Sequence, residues 1–161
     1  MVNASQFDPA TFLDATIDQP TEKRPPLPVE CPGTSDGLYT AVVGEVGARA
    51  WQGKKDPTKS GIAWDVPLQI EVPGQLQADL KLQPQLTLRD SIMVDLTEQG
   101  TIDNTPGKNR RLRTYREACD MNKPGDVFSA RKMQGRVVKV KISHEIYEGQ
   151  PVERIDNVLK A

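Results

Sequence analysis

The chain holds 161 residues, the size of one ordinary domain, and its 21 basic and 22 acidic groups leave a formal charge of −1. Apolar runs of about five residues fall far short of the roughly 20 that a spanning helix needs, and no overall positive field exists to hold a duplex in histone fashion. With 37% hydrophobic residues there is material for one modest core, and 13 prolines with 12 glycines break it into short elements.

Two dispersed cysteines, Cys31 and Cys119, do not make a disulfide scaffold. With His144 as the sole histidine, no pair has zinc-ligand spacing, so no metal and no cofactor are expected. The N-terminal stretch carries Asp8, Asp14 and Asp18 and lacks the basic-then-apolar order of a signal peptide. A reducing cytoplasm with both thiols free is the expectation.

The near-zero total hides a segregated pattern. Residues 1–48 hold two basic and seven acidic groups, whereas 49–61 hold four and one. Residues 62–107 return to two and seven, and 108–141 hold eleven and three, a net +8. A block of that sign and density predicts a local anion-binding surface despite the acidic isoelectric point. Long basic side chains that merely solvate an exposed face are the plain alternative.

In chain order, residues 1–37 read as an extended arm. Asp8 and Pro9 are placed to start a short helix, with Phe7, Phe12, Leu13 and Ile17 as apolar anchors. The segment Thr21–Pro28 is a stiff linker, and the arm is expected to dock on its own domain or on a neighbour. A β-rich domain is expected over 38–161.

Leu38–Val46 predicts a first strand, with Gly44 and Gly47 marking a bulge or bend. Gly53–Gly61 reads as a hairpin loop between Trp51 and Trp64. The next strand, 62–72, sets Ile62, Trp64, Val66, Leu68, Ile70 and Val72 on one face, and Pro67 argues for an edge or a bulge beside it. Residues 73–84 read as a connector, and 85–96 as a curved third strand. Lys108–Met121 predicts a helix with Leu112, Tyr115, Ala118 and Cys119 on its apolar stripe, stopped by Asn122-Lys-Pro-Gly125. Gly135–His144 alternates again, and Val152–Leu159 returns as a fifth strand after the Glu148-Gly149 turn. Three strands, one helix and two strands is the order of an OB-fold, a five-stranded Greek-key barrel with the helix between strands three and four. A jelly-roll-like sandwich or another small barrel are the alternatives.

Catalysis has little footing. Any Ser/His or Cys/His pair would have to use His144, late in a strand. Gly53-Lys54 and Lys59-Ser60-Gly61 fail the phosphate-loop spacing and join two strands instead of opening a helix. The carboxylates Asp90, Asp95, Glu98 and Asp103 are spread over strand and loop without metal-site clustering. No catalytic residue is expected.

Polyanion binding fares better. Lys54, Lys55 and Lys59 lie on the hairpin loop, Arg110, Arg111 and Arg113 on the helix, and Arg136, Lys139 and Lys141 on the fourth strand. These nine are the expected phosphate contacts, and Trp51, outside the core alternation, is the expected base-stacking residue. Trp64 and Tyr115 fall on core stripes, whereas nothing in the pattern singles out Tyr39 or Tyr147. The expected function is non-sequence-specific binding of single-stranded DNA, with RNA as a variant of the same chemistry. The alternative is a virion component, a small β-domain decorating a capsid or tail. Homo-oligomerisation through the arm or a sheet edge is expected, and no membrane association.

The stretches Leu38-Tyr-Thr-Ala-Val-Val43, Lys59-Ser-Gly61, Leu112-Arg-Thr-Tyr-Arg-Glu-Ala118 and Met133-Gln-Gly-Arg-Val-Val-Lys-Val-Lys-Ile142 resemble a family of small bacteriophage proteins. Those are OB-like single-stranded DNA-binding proteins found near replication and recombination functions, and the resemblance covers about residues 27–160. It implies a coat for single strands in phage DNA metabolism, acting in the cytoplasm of the infected bacterium. It also implies outward cations from the Gly135–Lys141 strand lining the groove.

Overall fold

A computed structural model describes residues 6–161 and shows a mainly β protein: one six-stranded, wholly antiparallel sheet with two short α-helices. The elements are β1 (Tyr39–Val43), β2 (Gly47–Gln52), β3 (Ser60–Glu71), α1 (Gly74–Leu80), β4 (Gln85–Val94), α2 (Arg110–Ala118), β5 (Val137–Tyr147) and β6 (Gln150–Lys160). Strand order is β2-β3-β1-β5-β6, with β4 on the other edge of β3. The sheet curls until β4 and β6 run alongside each other without forming a ladder.

Six strands appear where five were expected because the first is broken by a bulge. β1 and β2 pair consecutively with the same edge of β3, but Gly44–Val46 are three residues opposite the two residues Val66 and Pro67. Pro67 has no N–H to give, and the bulge lies where that donor is missing. Gly44 donates its N–H to the Pro67 carbonyl at 2.8 Å, and a Cβ on Gly44 would stand 2.9 Å from Pro67 Cγ. Proline and glycine thus fix the bend together.

The expected alternation forms the core. Val66, Leu68 and Ile70 of β3 meet Ile92 and Val94 of β4, with Val138, Val140 and Ile142 from β5. Trp64 packs against the edge of this core, and Ile62 emerges partly into solvent beyond it. α2 covers the open side with Leu112, Tyr115, Ala118 and Cys119, the predicted stripe. It is shorter than expected at both ends. Asn109 takes a left-handed conformation (φ 53°) and is held by four hydrogen bonds to Asp95 and Asp103, which pins the helix start to the end of β4. At the other end Asp120 is left-handed, its N–H bonding Glu117 O and that of Met121 bonding Arg116 O. That closure ends the helix before the Asn-Lys-Pro-Gly run is reached. The connector also holds α1, unforeseen between its two prolines, whose Leu76 reaches the core.

The arm divides in two. Leu27 and Cys31 are buried members of the core, so the packed unit begins well before residue 38. Arg24 makes a double hydrogen bond to Glu153 of β6, which also accepts the Leu27 N–H. His144 bonds the Leu27 carbonyl at 2.6 Å, and Tyr39 donates its hydroxyl to Pro28 O. Residues 6–23 are exposed throughout, including the 3₁₀ turn Pro9–Asp14 that Asp8 caps.

Between β4 and β6 the missing ladder is replaced by side chains. Asp90 stands on the core-facing row of β4, opposite Val66, where an apolar residue would be expected. Arg111 of α2 bonds its carboxylate and also gives hydrogen bonds to the Ile155 and Asp156 carbonyls of β6, at 2.8 and 3.1 Å. The Tyr115 hydroxyl donates to the same Asp90 oxygen at 2.7 Å. Arg111→Ala, which removes that carboxylate's cationic partner and leaves it Tyr115 alone, should lower stability by about 2–4 kcal/mol. The double change Asp90→Leu/Arg111→Leu should cost clearly less, as urea unfolding would read.

Burial pushes the Cys31 and Cys119 thiols and the Tyr39 and Tyr115 hydroxyls above their ordinary values. The unfolded chain therefore releases protons above about pH 9 that the folded chain retains, and stability falls as pH rises from there. Urea midpoints should decline between about pH 9 and 10.5, the range in which free thiols and phenols titrate. Both thiols should resist a thiol reagent until the protein is unfolded.

Candidate nucleic-acid interface

The outer surface of β2, β3 and β4 carries the side chains of opposite parity to the core. Register sets Trp51 across from Gly61, Arg49 across from Ala63, and Met93 on the far side of Ala63. Gly61 is the reason Trp51 can lie down on the sheet: a Cβ there would come within 2.8 Å of the indole Nε1. One indole face thus rests on the strand while the ring remains half-buried, leaving surface to solvent. Among the described residues its N–H has no protein acceptor.

Arg49 pairs with Asp65 at 3.0 Å, and Ser91 bonds the same carboxylate. Both partners of that pair are substantially exposed, so it is worth about 0–1 kcal/mol and leaves Arg49 available to another anion. Arg89 lies on the same surface, opposite Pro67, exposed and without an ion pair among the described residues. Neither arginine was among the expected contacts. Their strand parity, odd like that of Trp51 and opposite to the apolar row, was the signal that could have found them.

The loop joining β2 to β3 holds Lys54, Lys55 and Lys59, all exposed. It is a closed turn: Gly53 N–H bonds Lys59 O at 2.7 Å, and Lys59 N–H bonds Asp56 O. Gly53 is required there, because a Cβ would stand 2.4 Å from the Asp56 carbonyl. The loop extends from the same end of the sheet at which β4 finishes, since Ile62 pairs with Val94. Asn109 anchors α2 to that end of β4, so the approach to α2 lies there too.

Beside α2 runs an open cleft of about 860 Å³, lined among others by Lys108, Arg110, Arg113, Arg116, Ile102 and Phe128. Arg116 stacks over the Phe128 ring at 4.8 Å. Arg110 and Arg113 are exposed, as expected, and Arg113 has only a loose contact of 3.7 Å to Glu117. Arg111 is different: its guanidinium faces inward into the β4–β6 seam and is bonded there.

Of the fourth-strand cations, Lys139 stands apart from Trp51. Lys139 donates to Thr40 at 3.3 Å, and β1 at that point faces the Ile70 end of β3, whereas Trp51 sits at the Gly61 end. At about 3.3 Å per residue, those two positions are separated by roughly 30 Å of strand. Lys141 lies 3.6 Å from Asp156, whose carbonyl Arg111 also bonds, and the Arg136 carbonyl accepts the Val43 N–H at the end of β1. The structure therefore places the hairpin-loop lysines, Trp51 and the start of α2 at one end of the sheet, Trp51 on its outer face and α2 on its core side, and sets Lys139 far along the sheet from Trp51. Tyr39 and Tyr115 are buried, and Tyr147 is exposed at the end of β5.

Among the described residues no group of His, Cys, Asp and Glu is placed to hold a metal, and no helix is long and apolar enough to cross a membrane. No known protein family, no curated protein and no solved structure matches this chain.

Gly61→Val should push the indole off the strand. Trp51 should then become more accessible to acrylamide quenching, while the change in stability stays within about 1 kcal/mol, as for a surface substitution without a core role.

Proposed function

We propose that the protein binds single-stranded DNA without sequence preference, through the outer face of β2–β4 and the cations gathered at the end of that face. The observation that carries this is Trp51, an indole laid flat on Gly61 and bordered by Arg49 and the lysine loop. A flat aromatic face accepts any base, and cations beside it follow the sugar-phosphate backbone without reading sequence. Lys54, Lys55, Lys59, Lys108, Arg110 and Arg113 supply that path, with Arg49 and Arg89 on the sheet itself.

The fold reading that goes with it is an OB-like barrel. In support, β1 and β2 act as one bent strand that pairs with β3 and β5, α2 lies between β4 and β5, and β4 faces β6 across the seam. The role in phage DNA replication or recombination is part of the proposal and rests on the sequence resemblance. The exposed apolar arm is the feature that favours the second reading, a virion component whose arm lies on a neighbour.

Fluorescence anisotropy of a labelled oligo-dT against a duplex control separates the two. The first reading expects single-strand preference, with log K falling by about 0.7 per phosphate neutralised as log salt rises. Trp51→Ala should weaken binding about 5- to 100-fold. Replacing Lys54, Lys55 and Lys59 by Gln should flatten the salt slope by about 2, whereas Lys139→Gln should leave affinity nearly unchanged. Absence of binding even at low salt would leave the virion reading standing.

A further inference from the structure

Residues 6–18 present an unusual surface. Phe12, Leu13 and Ile17 are 59%, 85% and 78% exposed, and Phe7, edge-on to Phe12 at 5.9 Å between ring centroids, is itself half exposed. A 3₁₀ turn capped by Asp8 and opened by Pro9 holds part of this segment in shape. Its charges are all of one sign, Asp8, Asp14 and Asp18, with no lysine or arginine among them. A short chain that orders large apolar groups in water without burying them lacks the contact that would stabilise it.

The cleft beside α2 has the complementary character. Lys108 and Arg110 make no ion pair among the described residues, and Ile102 is 46% exposed at the cleft wall. Two carboxylates line it as well, Asp103 accepting the Thr105 N–H and Asp126 that of Lys123. The cations Lys108, Arg110, Arg113 and Arg116 outnumber them, so the net charge of the cleft is positive, and Phe128 and Leu112 add apolar surface to its lining. The chain's own arm does not enter it, for every residue from 6 to 25 is exposed.

We propose that residues 7–18 of one chain dock in the α2 cleft of a second copy, apolar side chains against Ile102 and Phe128 and aspartates against Lys108, Arg110 and Arg113. Arg24, held on Glu153, is the fixed root of the arm, and the residues before it are free to reach outward. Exchange of two arms about a two-fold axis would make the contact twice over. Covering the exposed apolar groups of both arms, and the surface they meet, buries on the order of 2,000 Å², the size of a stable interface. The docked arm would occupy Lys108, Arg110 and Arg113, which the strand-binding reading also uses, so the test omits DNA and the two readings are decided by different measurements.

Sedimentation velocity of the full chain, without DNA, over a wide concentration range and at low and high salt is the test. A dimer that loosens with salt is expected. Phe12→Asp/Leu13→Asp, at exposed positions where folding is not at stake, should raise the dissociation constant at least about tenfold. Arg110→Glu/Arg113→Glu should do the same. Mixing these two variants should restore part of the association, because the mixed pair holds one intact arm–cleft contact where the unaltered dimer has two. A full chain that stays monomeric at every concentration would overturn the proposal. So would an arm variant that associates like the unaltered protein, or a mixture that stays as monomeric as its parts.

Discussion

The curled sheet depends on one side-chain network, Arg111 with Asp90 and Tyr115, at the place where strands β4 and β6 fail to pair. A sheet that nearly closes leaves two rows of backbone groups facing each other, and the Arg111 fork satisfies two of the carbonyls on one side. Its remaining donors hold Asp90 on the other side, and Tyr115 completes that carboxylate. Because Arg111 and Tyr115 are one helical turn apart, the same contact that seals the seam also fixes the rotation of α2. With the stripe Leu112, Tyr115 and Ala118 turned inward, Arg110 and Arg113 must turn outward. The cationic wall of the cleft follows from the lock.

A second constraint acts at the opposite edge of β3. Pro67 withholds a donor and Gly44 permits the close approach, so the first strand bends there and continues as β2. The bend carries Trp51 and the lysine loop away from β1 and β5, to the end of the sheet where α2 begins. One proline–glycine contact therefore decides which basic groups share an end of the sheet. It sets Lys54, Lys55 and Lys59 at the end where α2 begins and leaves Lys139 on the far stretch of the sheet.

The charge map accordingly needs reading in space. The +8 block of residues 108–141 looks uniform as a string, yet its members do different work. Arg111 closes the sheet, Arg116 stacks on Phe128 and bonds the Met121 carbonyl, and Lys139 reaches Thr40. Those open to solvent at the start of α2 lie at the same end of the sheet as cations from the separate 49–61 block. Arg49 and Arg89, from a strand with a nearby acid and from an acidic stretch, complete the outer face. Proximity in sequence had pointed elsewhere.

Period-two alternation in the strands, the helix stripe and the bulge signal at Gly44 were all legible in the sequence, because each depends on contacts within a few residues or on a residue's own backbone limits. The mainly β architecture and the identity of most core residues followed from them. Trp51 was separable from Trp64 by parity alone. What the tertiary structure decided was which groups meet across the fold. Asp90 interrupts the apolar row of β4, a visible oddity, but its partners stand 21 and 25 residues onward on another element. The docking of Leu27 and Cys31 into the core, the separation of Lys139 from Trp51 and the orientation of Arg111 are likewise long-range outcomes. Local pattern sets which face of a strand or helix a side chain takes, and only the closure of the sheet sets what that face confronts.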